Sequence, residues 1–395
     1  MNETLTKRKR IQSIDLLRGT VMILMSLDHV RDYFHYDAFF FDPTDLTQSY
    51  PALFWTRFIT HFCAPVFVLL AGTSAYMVGT KRNKPSLSKW LLKRGVWLVF
   101  VELTIVKFAW FFQLDYTNLL IMVIWALGIS MIVLAGFIHL PRKLGIAICL
   151  LFIFGHNIFD GYVPEGDTAH AFWMLLHEQN IFQIGSFGIV FVGYPIVPWI
   201  FVMPLGYYMG SLYSKDVQPE TRKTTVLKLG IGSILLFVVL RAFNIYGDAY
   251  QWELQNTLGM SVASFFNITK YPSSLHYLLI TLGPALVFLA MAENWKGKLA
   301  DKVVVIGRVP MFFYIVHLYV IHLAALVAVL LTGFSASTMV IELCVSMQEE
   351  LQGFGFHLIW VWVIWIAIVT ALYPFCNWYN TYKNSHRDKW WLSYF

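Results

Sequence analysis

The feature that most constrains this chain is a succession of long apolar stretches, each close to the ~20 residues a helix needs to cross the hydrocarbon core of a bilayer. Ten can be traced, at roughly residues 13–36, 53–79, 88–112, 117–139, 143–160, 185–212, 225–246, 274–293, 303–332 and 355–380. The ninth has room for a short interfacial piece before Pro310, and residues 336–348 are a candidate for one further short segment. Backbone in lipid must satisfy its own N–H and C=O groups, and for stretches of this length the helix does so. The expected fold is therefore all-α, a polytopic integral membrane protein with about ten transmembrane helices in a single domain over residues 1–395. Composition agrees, because only 13% of residues are charged, about half the ~25% usual in soluble domains.

Charge fixes an expected orientation. Lys7, Arg8, Lys9 and Arg10 form a basic arm within residues 1–12, and every second connection after it is also basic. These connections carry Lys81, Arg82, Lys84, Lys89, Lys93 and Arg94; Arg142 and Lys143; Lys215, Arg222, Lys223 and Lys228; and Lys296, Lys298 and Lys302. The tail over residues 381–395 adds Lys383, Arg387 and Lys389. The intervening loops read as acidic or neutral. Basic loops stay on the cytoplasmic side, so both termini are expected there, in a multi-pass protein of the cell's inner membrane. The net charge of +6 then faces anionic lipid rather than nucleic acid. The first apolar stretch holds Asp15, Arg18 and Asp28 and lacks a small-residue cleavage site, so it is expected to be retained. Four scattered cysteines and the absence of ligand-like spacing suggest neither a disulfide framework nor a metal site. The apolar outer face is compatible with a homodimer as well as with lipid.

The sixth stretch is expected to be a broken helix walling a pocket, because Pro195, Pro198 and Pro204 would each remove a backbone donor. The outside loops at 161–184 and 247–273 are rich in aromatic and amide residues, which suits an interfacial belt and also sugar stacking.

Ionisable groups within a bilayer are expensive and mark function by default. The first stretch has the densest set: Asp15, Arg18, Asp28, His29, Arg31 and Asp32. At ~100° per residue Arg18 and His29 fall about 20° apart, with Asp32 near the same stripe and His29 about 16 Å along the axis from Arg18. Asp15 lies one turn before Arg18 and can pair with it. The second stretch adds Arg57 and His61, the latter at a depth comparable with His29. The ninth repeats the order with Arg308 and, roughly 13 Å further on, His317. Lys107 and Arg241 read as isolated residues near the outer interface.

Chemically, an inner arginine suits a phosphate-bearing donor because guanidinium pairs with phosphate in a bidentate manner. A histidine further out can take a proton from an acceptor, or be acylated itself. Asp28 or Asp32 could fix its tautomer. This layout fits acyl transfer from a cytoplasmic acyl-CoA to an acceptor outside.

The residues also resemble a known family. Ser13-Ile14-Asp15-Leu16-Leu17-Arg18-Gly19 resembles the S-x-D-x-x-R-G opening of the heparan-α-glucosaminide N-acetyltransferase-like family. Arg18, ten residues and His29 resemble the R-x10-H motif of the broader transmembrane acyltransferases. Phe62 to Gly72, Tyr194 to Tyr207 and Gly307 to His317 are similar to further segments of that family. The resemblance implies a fold of about ten helices, cytoplasmic acetyl- or acyl-CoA as donor, and an extracytoplasmic carbohydrate acceptor. It implies His29 as the acyl-transfer histidine and Arg18 as its donor-side partner; the charge layout itself groups Asp15, Arg308 and His317 with Arg18 as candidate donor-binding residues. In the glucosaminide enzymes the active histidine comes later, in the loop after the first helix, where this chain has His35. Both His29 and His35 are therefore candidates, His29 preferred. The lumenal domain that precedes the first helix in the animal enzymes has no counterpart here, so heparan itself is not implied. A proton-coupled transporter or flippase using the same charges is the alternative, and a non-catalytic assembly protein a third reading.

Overall fold

The structure is a computed structural model and describes residues 11–186 and 188–393, so the expected basic arm lies almost wholly outside the described residues. Helix α1 (Gln12–Phe34) comes first. Helix α2 (Pro51–Phe58) passes through a 3-10 turn into α3 (Cys63–Gly79), making one apolar helix of 29 residues. Helix α4 (Lys84–Val101) begins on Asn83, whose side chain accepts the Ser86 N–H at 2.9 Å and so satisfies one of the donors a helix start leaves open. It widens into a π-helical turn over Glu102–Val106, then into α5 (Lys107–Phe111), which Phe112 ends in the left-handed conformation.

Strand β1 (Asn118–Ile121) leads into α6 (Val123–Phe137), α7 (Arg142–Gly155) and α8 (Asp167–His177). Strands β2 (Asn180–Ile184) and β3 (Gly188–Val192) precede α9 (Trp199–Met209), α10 (Pro219–Ala242) and α11 (Leu258–Phe266). Helices α12 (Leu275–Met291), α13 (Lys298–Arg308), α14 (Pro310–Leu331) and α15 (Leu358–Ser385) complete the chain.

Among the described residues, six helices are long and apolar enough to cross a membrane: Pro51–Gly79, Arg142–Phe159, Pro219–Ala242, Leu275–Asn294, Pro310–Leu331 and Leu358–Ser385. Helix α1 is long enough but carries the charges described above, and it is enclosed by α3, α12, α13, α14 and α15. The short piece expected before Pro310 is α13, separated from α14 at Val309.

Several expectations are corrected. The stretches at 117–139 and 185–212 do not run as helices throughout. Each opens with a strand, and β1 pairs parallel with β3 while β2 pairs antiparallel with it, in the order β1-β3-β2. Both segments, 118–121 and 188–192, are as apolar as a helix would need but short, and 188–192 is rich in β-branched and aromatic residues, which favour a strand. Pro195 and Pro198 accordingly precede α9, and only Pro204 lies inside it. Residues 336–348 form short 3-10 turns, tied to α5 by the Ile341 N–H on the Phe111 carbonyl at 3.0 Å. Helix α15 continues to Ser385, into the expected tail.

Neither Lys107 nor Arg241 is isolated. Lys107 is buried, donates to the Asp115 carbonyl and sits over the Tyr116 ring. The Arg241 guanidinium donates to the carbonyls of Tyr250, Ser264, Phe265 and Asn267, closing the end of α11. Carbonyls freed at a helix end need such donors.

Candidate functional site

The site is built along α1. Near its start, Arg18 donates to Ser74 Oγ on α3 at 2.8 Å and to the Gly307 carbonyl at 3.3 Å, and pairs with Asp15 at 3.4 Å. Arg308 Nε lies 3.6 Å from the second oxygen of Asp15. This meeting depends on glycine. A Cβ on Gly19 would overlap the Val303 carbonyl, and one on Gly307 would overlap the Asp15 carbonyl, so α1 and α13 touch backbone to backbone. The close crossing sets both arginines around one carboxylate.

They border a cavity of about 940 Å³ whose lining also includes Lys81, Arg82, Arg94 and Lys383. Asp15 is the single carboxylate among its described lining residues, against six cations. Trp90 is held there beneath Arg94 and Arg82, at 4.9 and 5.6 Å.

A second cavity, of about 630 Å³, lies towards the other end of α1 and is lined by Asp28, His29, Arg31, Asp32, Arg57 and Lys270. Asp28 is its hub. It contacts Arg57 closely and lies 3.1 Å from Arg31 and 3.8 Å from Lys270. Arg31 also meets Asp32 at 2.5 Å. A carboxylate in this setting is held ionised by paired cations, as a buried charge must be. At the rim, burial would raise the Asp42 carboxyl, but Arg57 and the Thr44 hydroxyl and amide outweigh it and hold it below its ordinary value. Leu120 and Phe191 of the small sheet, with Tyr194 and Tyr271, complete an aromatic and apolar wall.

His29 Nδ1 and His317 Nε2 are 2.8 Å apart, and His317 Nδ1 is 2.9 Å from the Phe313 carbonyl. A carbonyl only accepts, so neutral His317 carries its proton on Nδ1 and presents a lone pair at Nε2. Neutral His29 must then donate from Nδ1, which leaves its Nε2 lone pair available for chemistry. Trp110 stands edge-on to His29 at 4.9 Å and fixes the ring further. Asp28 and Asp32, expected to set this tautomer, bind arginine instead.

The structure therefore brings His317 to His29 rather than into the wall of the cationic cavity, where it was expected with Arg308. His61 is buried between Phe58 and Tyr277, at ring distances of 5.7 and 5.5 Å, and does not meet His29. His35 lies just past the end of α1, with Nε2 3.4 Å from the Tyr50 hydroxyl and 3.9 Å from Asp37, outside the lining of the second cavity. Lys270 was missed, although it is a basic residue in the 247–273 loop, where the alternation of charge leads one to expect none. Ser74, Trp110 and Tyr314 carry no charge, and only the fold singles them out.

The fold and the site together define a helical membrane protein with a cationic cavity, an adjoining cavity of mixed charge, and a histidine pair of which His29 lines the second. The chain belongs to the heparan-alpha-glucosaminide N-acetyltransferase family, whose catalytic-domain model matches residues 10–247. Membership puts it among membrane acetyltransferases. The match covers more than half of the chain and includes Asp15, Arg18, Asp28, His29 and Arg57, while Lys270, Arg308 and His317 lie beyond it. No curated protein matches the chain.

Proposed function

We propose that the protein transfers an acetyl or other acyl group from cytoplasmic acyl-CoA, bound in the cationic cavity, to a sugar or similar polar acceptor in the second cavity. The observation that carries this reading is that His29, hydrogen-bonded through Nδ1 to His317, lines the second cavity, which shares the wall residues Met25, Phe67, Val123 and Tyr314 with the cationic one. The cations of the first cavity suit the phosphates of coenzyme A, since guanidinium keeps its charge and binds phosphate oxygens in pairs. The aromatic wall and the Asp32 and Lys270 side chains of the second suit a hydroxyl- and amine-bearing acceptor. His29 serves as general base towards the acceptor, or accepts the acyl group transiently. The cytoplasmic orientation of the Arg18 end rests on the basic loops beside it.

Saturable binding of radiolabelled acetyl-CoA to the detergent-purified protein is the test, with Arg18→Ala measured beside wild type. Loss of the Arg18 contacts is expected to weaken binding by about 2 kcal/mol, the size of a charge-assisted hydrogen bond. Unchanged affinity removes Arg18 from donor binding. No binding by wild type would demote the acyltransferase reading in favour of a transporter using the same charges.

A further inference from the structure

Four residues line both cavities: Met25, Phe67, Val123 and Tyr314. They form the wall between the donor and acceptor spaces, so a donor carbonyl passing to His29 must meet them. Three of the four side chains cannot make an ordinary hydrogen bond. Tyr314 is the exception, carrying a phenol that can donate through its O–H.

Its placement suits a role at the reacting centre. Tyr314 precedes His317 by three residues on α14, so both project from neighbouring turns of one face. The rings of Tyr314 and His317 are 5.6 Å apart, and that of Tyr314 is 6.5 Å from His29. The residue is buried, at 5% exposure, and its phenol borders the Trp110 indole. An indole nitrogen donates and never accepts, so this neighbour does not consume the phenol's own proton. Glu102 lies within electrostatic reach of the phenol; one of its carboxylate oxygens accepts the Trp125 N–H at the start of α6, at 2.9 Å, and among the described residues no hydrogen bond joins the other to Tyr314.

Resting on the acyl-transfer reading, we propose that Tyr314 is a catalytic residue whose hydroxyl donates to the donor carbonyl oxygen as that carbon is attacked. The acceptor nitrogen or oxygen forms the new bond to the acyl carbon, and the C–S bond breaks with its electron pair leaving on sulfur. The acceptor loses one proton to His29 Nε2, and the expelled thiolate takes up one proton. Tyr314 keeps its own proton throughout and stabilises the negative charge that builds on oxygen. A donor preset at that point lowers the barrier more than it strengthens ground-state binding.

The experiment compares wild type, Tyr314→Phe and His29→Ala in proteoliposomes loaded with glucosamine as the probe acceptor, with acetyl-CoA hydrolysis in the absence of acceptor as a second readout. Tyr314→Phe is expected to lower kcat roughly 100-fold, the effect of deleting one oxyanion donor, with acetyl-CoA binding and the KM for glucosamine unchanged. Full kcat in Tyr314→Phe overturns the proposal, as does a loss confined to acetyl-CoA affinity. Neither transfer nor hydrolysis by wild type would overturn the acyl-transfer reading itself, whereas transfer retained by Tyr314→Phe but lost in His29→Ala counts only against Tyr314. Should Tyr314→Phe not fold, 3-fluorotyrosine at this position keeps the ring and acidifies the phenol. It is expected to shift the alkaline limb of the kcat profile to lower pH, and an unshifted limb overturns the proposal.

Discussion

At the residue scale, the His29–His317 pair makes the sharpest prediction. His29→Ala is expected to abolish transfer while acetyl-CoA binding persists, and His35→Ala to leave turnover near wild type. Turnover assays on both variants check this, and the opposite pattern would move the catalytic role to His35. His317→Ala leaves His29 Nδ1 without its acceptor, so kcat is expected to fall about 100-fold or more, the scale of misorienting a general base, with donor affinity unchanged. The polar stripe from Arg18 to His29 could be read in advance because α1 runs unbroken over that interval and helical periodicity applies. The partner of His29 could not. His317 is 288 positions away, and its own spacing from Arg308 suggested a second copy of the Arg-then-His pattern instead. Lys270 was hidden for another reason, since one lysine in a long polar loop looks solvated until the fold turns it towards Asp28.

At the scale of elements, the structure rests on contacts that periodicity cannot convey. Gly19 and Gly307 read as ordinary glycines, but they allow α1 and α13 to meet. Gly307→Ala is expected to cost roughly 1–3 kcal/mol through overpacking against backbone, and to impair acetyl-CoA binding because Arg308 moves off Asp15. Thermal unfolding in detergent, with and without acetyl-CoA, measures both effects. Glu102 is a second example. Its acceptance of the Trp125 N–H ties the π-helical turn to α6, which supplies Val123, Ile124 and Leu127 to the cationic cavity. Glu102→Leu removes that acceptor and is expected to destabilise the protein by about 1–3 kcal/mol, whereas Glu102→Gln, which retains an acceptor, is expected to cost less. The small sheet was illegible for a simpler reason. In an apolar chain the strand and helix readings of four or five residues cannot be told apart by period, and only the pairing of β3 with both neighbours decides.

For the whole molecule, the alternation of charge gives an orientation that labelling can check. In a Cys344→Ser background, Lys81→Cys is expected to react with an impermeant maleimide only after permeabilisation of cells, and Thr47→Cys from outside; reversal would invert the proposed direction of transfer. The four-residue wall between the cavities has a consequence of its own. If the two cavities hold water and open to opposite faces, as proposed, they thin the insulating layer, and most of the membrane voltage would fall across Met25, Phe67, Val123 and Tyr314. The C–S bond leaves its electron pair on sulfur, so the acetyl group crosses the wall as a formal acylium carrying one positive charge. If the proton shed by the acceptor escapes outward while the thiolate draws another from the cytoplasm, each turnover carries one positive charge outward, opposed by about 2.3 kcal/mol per 100 mV, inside negative. If His29 instead returns the same proton to sulfur, no net charge moves. Transfer rates in proteoliposomes clamped with a potassium diffusion potential separate the two routes, and a voltage-independent rate would mean that the acyl group and the proton are exchanged across the wall together.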